Sequence, residues 1–237
     1  MRLITLDNQP SFAAVIDGRG DLMAAMARAC QALYKPENQT VVVVRKSLSL
    51  TETHKRAAAS LCGRSAAAYA CLGHDRFMEV GYGGNGVAPK DRAALDSDVG
   101  YDFREFIEAV HTHIPALRQM EIRADDFSNH EPHIDFSENP AGGVTATMAV
   151  QGGGTIIAAL TRDMLYRTRD NETGIMGWRV RPQVKIDAQN GWAVANGDIC
   201  LMRSREWPET HLPTLHCSPS RRLPGDVSER VVAVMLP

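Results

Sequence analysis

The feature that most constrains this chain is a set of short, strand-like apolar segments in its second half. They are VTATMAV (144–150), TIIAAL (155–160), WRVRPQVKI (178–186), GWAVANGDICLM (191–202) and RVVAVML (230–236). Among them lie the turn signals NPAGG, QGGG, NETG, AQNG and NGD. Short strands with turns this frequent predict an antiparallel sandwich or barrel.

The character changes near residue 125. The first half reads as mixed and helix-rich. In DLMAAMARACQALY (21–34), Leu22, Met26, Cys30 and Leu33 fall on one helical face, and Pro36 lies just beyond the end. TVVVV (40–44) is a β-branched run and predicts a strand. Ser49 and Glu52 are spaced as a capping box before HKRAAASLC, with Gly63 as a stop. In DFREFIEAVHTHI, Phe103, Phe106, Ile107, Val110 and Ile114 share a face, and Pro115 ends or bends the helix. The expected class is α+β. Residues 1–237 form a single domain, in which a helix-rich 1–124 buttresses a β core over 125–237.

Composition excludes several function classes. Lys and Arg total 26 against 28 Asp and Glu, a net charge of -2, which argues against a nucleic-acid backbone as partner. The five cysteines, Cys30, Cys62, Cys71, Cys200 and Cys217, are odd in number and never form CxxC, so neither a disulfide framework nor a zinc ribbon is expected. Asp7, Pro10 and Asp17 come too early for a signal peptide, and no apolar run approaches a membrane span. The expectation is a soluble, reduced, cytoplasmic protein with no membrane partner. Nothing in the sequence indicates an oligomeric state.

The sharpest local feature is NHEPHIDF at 129–136, which contains His133-Ile134-Asp135. In an extended segment, residues i and i+2 point to the same side, so an imidazole and a carboxylate converge. A third neutral imidazole from a distant strand completes a 2-His-1-carboxylate facial triad, the donor set of non-haem Fe(II) sites. His216, in TLHCSPS, is the candidate third ligand, and His211 is its rival. His130 reads as a loop histidine. His111 and His113 lie two apart on a helix, face different ways and make a poor metal pair. The acidic cluster Glu121, Asp125, Asp126, Glu131, Asp135 and Glu138, with Arg123 as its counterion, reads as a solvated face that also favours a cation.

With QGGGT (151–155) after the first ligands and Arg230 opening the last β-run, these pieces resemble the Fe(II)/2-oxoglutarate-dependent dioxygenases over residues 125–237. The resemblance implies a double-stranded β-helix (jelly roll) core. It implies Fe(II) held by His133, Asp135 and His216, with O2 as co-substrate. It further implies 2-oxoglutarate held by Arg230 with help from Thr155, and a small-molecule substrate hydroxylated with release of succinate and CO2. An Arg suits the far carboxylate because its planar fork grips with two hydrogen bonds. Arg221 and Arg222 follow His216 at a shorter spacing and compete for the role. Asp135 fills the position that related halogenases leave small, so an oxygenase is expected.

Two other readings stay open on sequence alone: a cupin-like metalloenzyme that does not use 2-oxoglutarate, and a non-enzymatic β-sandwich binding module. Gly81-Tyr82-Gly83-Gly84-Asn85-Gly86 matches a dinucleotide fingerprint, but Pro89, Lys90 and Asp91 follow in place of an apolar helix. It reads as a loop, with a lid over the site as its functional version.

Overall fold

All five residues of Val41–Arg45 are buried, because their strand has a packed layer on each side. Such strands read as continuous apolar runs instead of alternating ones. In the computed structural model, residues 1–35, 40–45, 76–81, 104–117, 119–125, 131–135, 143–169, 176–204, 211–219 and 230–236 are described. Their strands are β1 (Arg2–Leu3), β2 (Ala13–Asp17), β3 (Val41–Arg45), β4 (Arg76–Gly81), β5 (Gln119–Asp125), β6 (Val144–Gln151), β7 (Ile156–Ala158), β8 (Leu165–Arg169), β9 (Met176–Val180), β10 (Trp192–Ala193), β11 (Ile199–Arg203), β12 (Leu215–Cys217) and β13 (Arg230–Leu236). The helices are α1 (Leu22–Leu33) and α2 (Arg104–His113).

The strands build a seven-stranded sheet in the order β2-β3-β11-β6-β13-β5-β4 and a four-stranded sheet in the order β1-β10-β7-β12. Side-chain alternation on the large sheet then fixes three layers. Val42, Val44, Ala146, Met148, Ile199, Leu201, Ala233 and Met235 pack with Leu22, Met26 and Leu33 of α1 and Phe106 and Val110 of α2. The intervening Val41, Val43, Cys200 and Met202 pack with Ile157 and Trp192 from the small sheet and with Val194 just after β10. Helices therefore cover one face of the large sheet and the small sheet covers the other. Burying each large aliphatic side chain contributes about 1.5–3 kcal/mol.

The chain alternates between sheets. From β5 it crosses to residues 131–135, which bridge to β12 through His133 and His216. It returns to the large sheet at β6, crosses to β7 and β10, returns at β11, crosses at β12 and ends at β13 in the large sheet. The β6–β7 crossing is the QGGGT turn. A Cβ on Gly154 there would lie 2.4 Å from the Val194 carbonyl oxygen, so only glycine fits.

Several expectations need revision. The described part of the first half is not helix-rich: it holds α1 and α2 beside β1 to β5, and β2 to β5 join the large sheet with β6, β11 and β13. The predicted capping box at Ser49 and most of the 81–86 loop lie outside the described residues. GWAVANGDICLM is two strands in different sheets, because Gly197, at φ 79°, turns the chain between β10 and β11. WRVRPQVKI is a strand only as far as Val180, where β9 pairs with β8 in a separate hairpin. Leu165, Trp178 and Val180 of that hairpin pack with Ile134, Ala158 and Leu215. No helix among the described residues is long and apolar enough to cross a membrane, a statement that leaves strands aside.

Candidate metal centre

The site begins with Ile134. It is buried against Ala158, Leu160, Leu165 and Leu215. In extended backbone its neighbours His133 and Asp135 must then face the opposite way. Leu215 in the same cluster does the same for His216 on β12. The two histidines are joined by a pair of backbone hydrogen bonds: His133 N–H donates to His216 O at 2.9 Å, and His216 N–H donates to His133 O at 3.0 Å. Their ring centroids are 4.3 Å apart.

Each ring is then oriented by the carbonyl two residues upstream. His133 Nδ1 lies 2.8 Å from Glu131 O, and His216 Nδ1 lies 3.1 Å from Thr214 O. A carbonyl can only accept, so each Nδ1 carries its proton, and in a neutral ring Nε2 presents a lone pair. Both Nε2 atoms face the same carboxylate oxygen: Asp135 Oδ1 is 3.3 Å from His216 Nε2 and 3.8 Å from His133 Nε2. One ligand atom from each residue lies within 4.8 Å of the others, and among the described residues this is the group able to hold a metal ion. The His216 side chain is 7% exposed, that of Asp135 22% and that of His133 44%, so the site is closed on one side and open on the other.

Burial pushes the Asp135 carboxyl up. In the metal-free fold His216 and His133 in their protonated form, with the Thr145 hydroxyl, outweigh burial and hold it well below the usual carboxylate range. Asp135 is therefore an anion at neutral pH. Its Oδ2 is buried with no hydrogen-bond partner among the described residues. Two lone pairs and an anionic oxygen that converge fit a divalent cation. The donation of each Nδ1–H to a carbonyl is the arrangement that metal-bound histidines adopt.

The other expected residues divide. Thr155 is buried and its hydroxyl lies 3.2 Å from that of Thr147 on β6, between the two sheets. Arg230 opens β13, where its backbone stands opposite Asp125 of β5. His211 is not in the triad cluster. His111 Nδ1 lies 3.2 Å from Leu117 O, a local contact at the end of α2. His130, Arg221 and Arg222 lie outside the described residues. Thr145 and Thr214 were not anticipated, nor was Glu131 in this role, having been read only as part of the acidic cluster. The last two act through backbone carbonyls, which every residue type offers, so the sequence carried no signal for them.

No family model matches the chain, and no curated protein matches it. Among solved structures it is similar to a prolyl-4-hydroxylase from Pseudomonas putida, at 13% identity and a TM-score of 0.43, over 89% of this chain and 97% of that one. It is similar to AviO1 from Streptomyces viridochromogenes Tue57, at 10% identity and 0.41, over 89% and 93%. A 2OG-Fe(II) oxygenase family protein from Caulobacter crescentus gives 12% identity and 0.43, over 96% and 87%.

Proposed function

We propose that this chain is a non-haem Fe(II)- and 2-oxoglutarate-dependent oxygenase that hydroxylates a small-molecule substrate, with release of succinate and CO2. The observation that carries the reading is the convergence of His133 Nε2, His216 Nε2 and Asp135 Oδ1, with both Nδ1 atoms already committed to carbonyls. The alternation of the chain between the two sheets supports a double-stranded β-helix, and strands from both sides of residue 125 within one sheet support a single domain.

In this reading His133, Asp135 and His216 would hold Fe(II). Bound there, Fe(II) would supply the coupled chemistry of 2-oxoglutarate and O2: decarboxylation to succinate and CO2, and transfer of one oxygen atom into a substrate C–H bond. Arg230 would hold the far carboxylate of 2-oxoglutarate, with the Thr155 hydroxyl assisting. Asp135 supplies the negative charge that favours a cation over a proton. Glu131 and Thr214 hold the rings so that both Nε2 lone pairs stay aimed. Ile134 and Leu215, packed under the site, keep the ligand-bearing segments from shifting.

The test is an anaerobic titration with Fe(II) and then 2-oxoglutarate, followed in the visible spectrum, and a succinate-release screen of amino acids, peptides and other metabolites under air. A new absorption band on adding 2-oxoglutarate, and substrate-dependent succinate, are expected. Fe(II) binding with no response to 2-oxoglutarate would replace this reading with a cupin-like metalloenzyme. No metal binding at all would leave a binding module.

A further inference from the structure

Thr214 lies two residues before His216 and is fully buried. All of its polar groups are engaged. Its hydroxyl accepts the Arg203 backbone N–H at 3.0 Å and donates to the Thr40 carbonyl. Its N–H donates to the Arg203 carbonyl at 2.9 Å. Its carbonyl accepts His216 Nδ1–H at 3.1 Å. One side chain thus ties the residue before β3, the end of β11 and the residue before β12.

The knot is secured from a second direction. The Arg203 guanidinium is buried and closes the end of α1. Its Nε donates to Leu33 O at 2.9 Å, and its Nη2 donates to Lys35 O at 2.8 Å. A cation there satisfies carbonyls that the helix leaves open and sits at the negative end of its dipole. By contrast Glu131, whose carbonyl orients His133, is exposed. The two ligand histidines are therefore held unequally.

We infer that Thr214 is a positioning residue for the metal centre, its clamped hydroxyl fixing the carbonyl that aims the His216 ring. This rests on the metal reading above. The imidazole torsion is broad and soft. A carbonyl fixed in direction selects one ring orientation, and with it the position of Nε2 about Asp135. Without the hydroxyl, Thr214 keeps the hydrogen bond from its N–H to the Arg203 carbonyl but loses its ties to the Arg203 N–H and the Thr40 carbonyl, and its own carbonyl is free to tilt.

The experiment uses the full chain, nitrogen-15-labelled at histidine, with Zn(II) as the diamagnetic probe. Wild type should show a slowly exchanging Nδ1–H on His216 both without metal and with Zn(II). Thr214→Val keeps the volume and removes the hydroxyl. It should lose that protection and bind Zn(II) on the order of tenfold or more weaker, the usual effect of losing a residue that supports a ligand. Thr214→Ser restores the hydroxyl and should recover both properties. A wild-type His216 with a bare Nδ1 overturns the inference without needing any variant to fold. So does a Thr214→Val protein with wild-type exchange and Zn(II) affinity. If wild type binds no metal, yet Nδ1–H is protected there and exposed in Thr214→Val, the metal reading fails and the positioning role stands.

Discussion

His133 and His216 each donate a backbone N–H to the other's carbonyl, at 2.9 and 3.0 Å. Residues paired this way in an antiparallel ladder stand about 5.5 Å apart at Cα. Their imidazoles are neighbours because of backbone pairing, which does not depend on the identity of the side chains.

The first prediction follows from that independence. His133→Ala, Asp135→Ala and His216→Ala should each abolish or sharply weaken Fe(II) binding, measured anaerobically, while far-UV circular dichroism stays that of wild type. His211→Ala should bind as wild type does. Full affinity in His216→Ala with loss in His211→Ala would mean that the distal ligand has been misassigned.

The Asp135 carboxyl, held below its ordinary value in the fold, gives a pH prediction for the metal-free protein. A depressed carboxylate contributes stability that is present above its unfolded pKa, about 4, and is lost as pH falls from there toward the folded value. The difference in urea midpoint between wild type and Asp135→Asn should therefore shift against wild type as the pH is lowered from about 6 to about 3. A difference that is flat across that window would show that the histidines do not hold Asp135 ionised.

How much of this was legible in the sequence depends on which physical rule governed each element. His133 and Asp135 were readable because convergence needs only the two-residue period of an extended chain. β13, over Arg230–Leu236, and α1, over Leu22–Leu33, were readable because an uninterrupted apolar run and a helical face are strong local signals. The β8–β9 hairpin was not, because Arg167, Arg169, Arg179 and Arg181 surround the few residues, Leu165, Trp178 and Val180, that anchor it. The turn within GWAVANGDICLM was signalled by NGD, but the change of sheet was hidden, because the apolar runs on both sides of Gly197 look alike. β2 escaped because its role is set by pairing in parallel with β3, a partner distant in sequence.

Gly154 tests the crossing that carries Thr155 between the sheets. Its added Cβ would meet Val194 backbone, at 2.4 Å from O and 2.9 Å from C, and backbone cannot swing aside as a side chain can. Gly154→Ala should destabilise by about 1–3 kcal/mol, the range for forced overpacking. Gly20 has nothing within 4 Å of its added Cβ, so Gly20→Ala should leave the urea midpoint nearly unchanged. Equal midpoints for the two variants would show that the β6–β7 crossing yields at little cost.

The last prediction concerns Arg230 and separates a 2-oxoglutarate enzyme from a cupin that does not use it. Arg230 stands at the head of β13, 14 residues after His216, on the strand between β5 and β6. If it grips the far carboxylate of 2-oxoglutarate, Arg230→Met removes a two-pronged, charge-assisted contact and keeps much of the packing volume. Hydrogen bonds to charged groups contribute about 1.5–3 kcal/mol each, so 2-oxoglutarate should bind tenfold or more weaker. Fe(II) affinity should be unchanged, since Arg230 is not a ligand. Arg230→Lys should recover only part of the loss, because a point charge does not reproduce the guanidinium fork. Pyruvate has no second carboxylate, so its binding should barely distinguish wild type from Arg230→Met. The dissociation constants are to be measured anaerobically beside those of Arg222→Met. A large loss in Arg222→Met with none in Arg230→Met would move the role to Arg222, and no loss in either would favour the cupin.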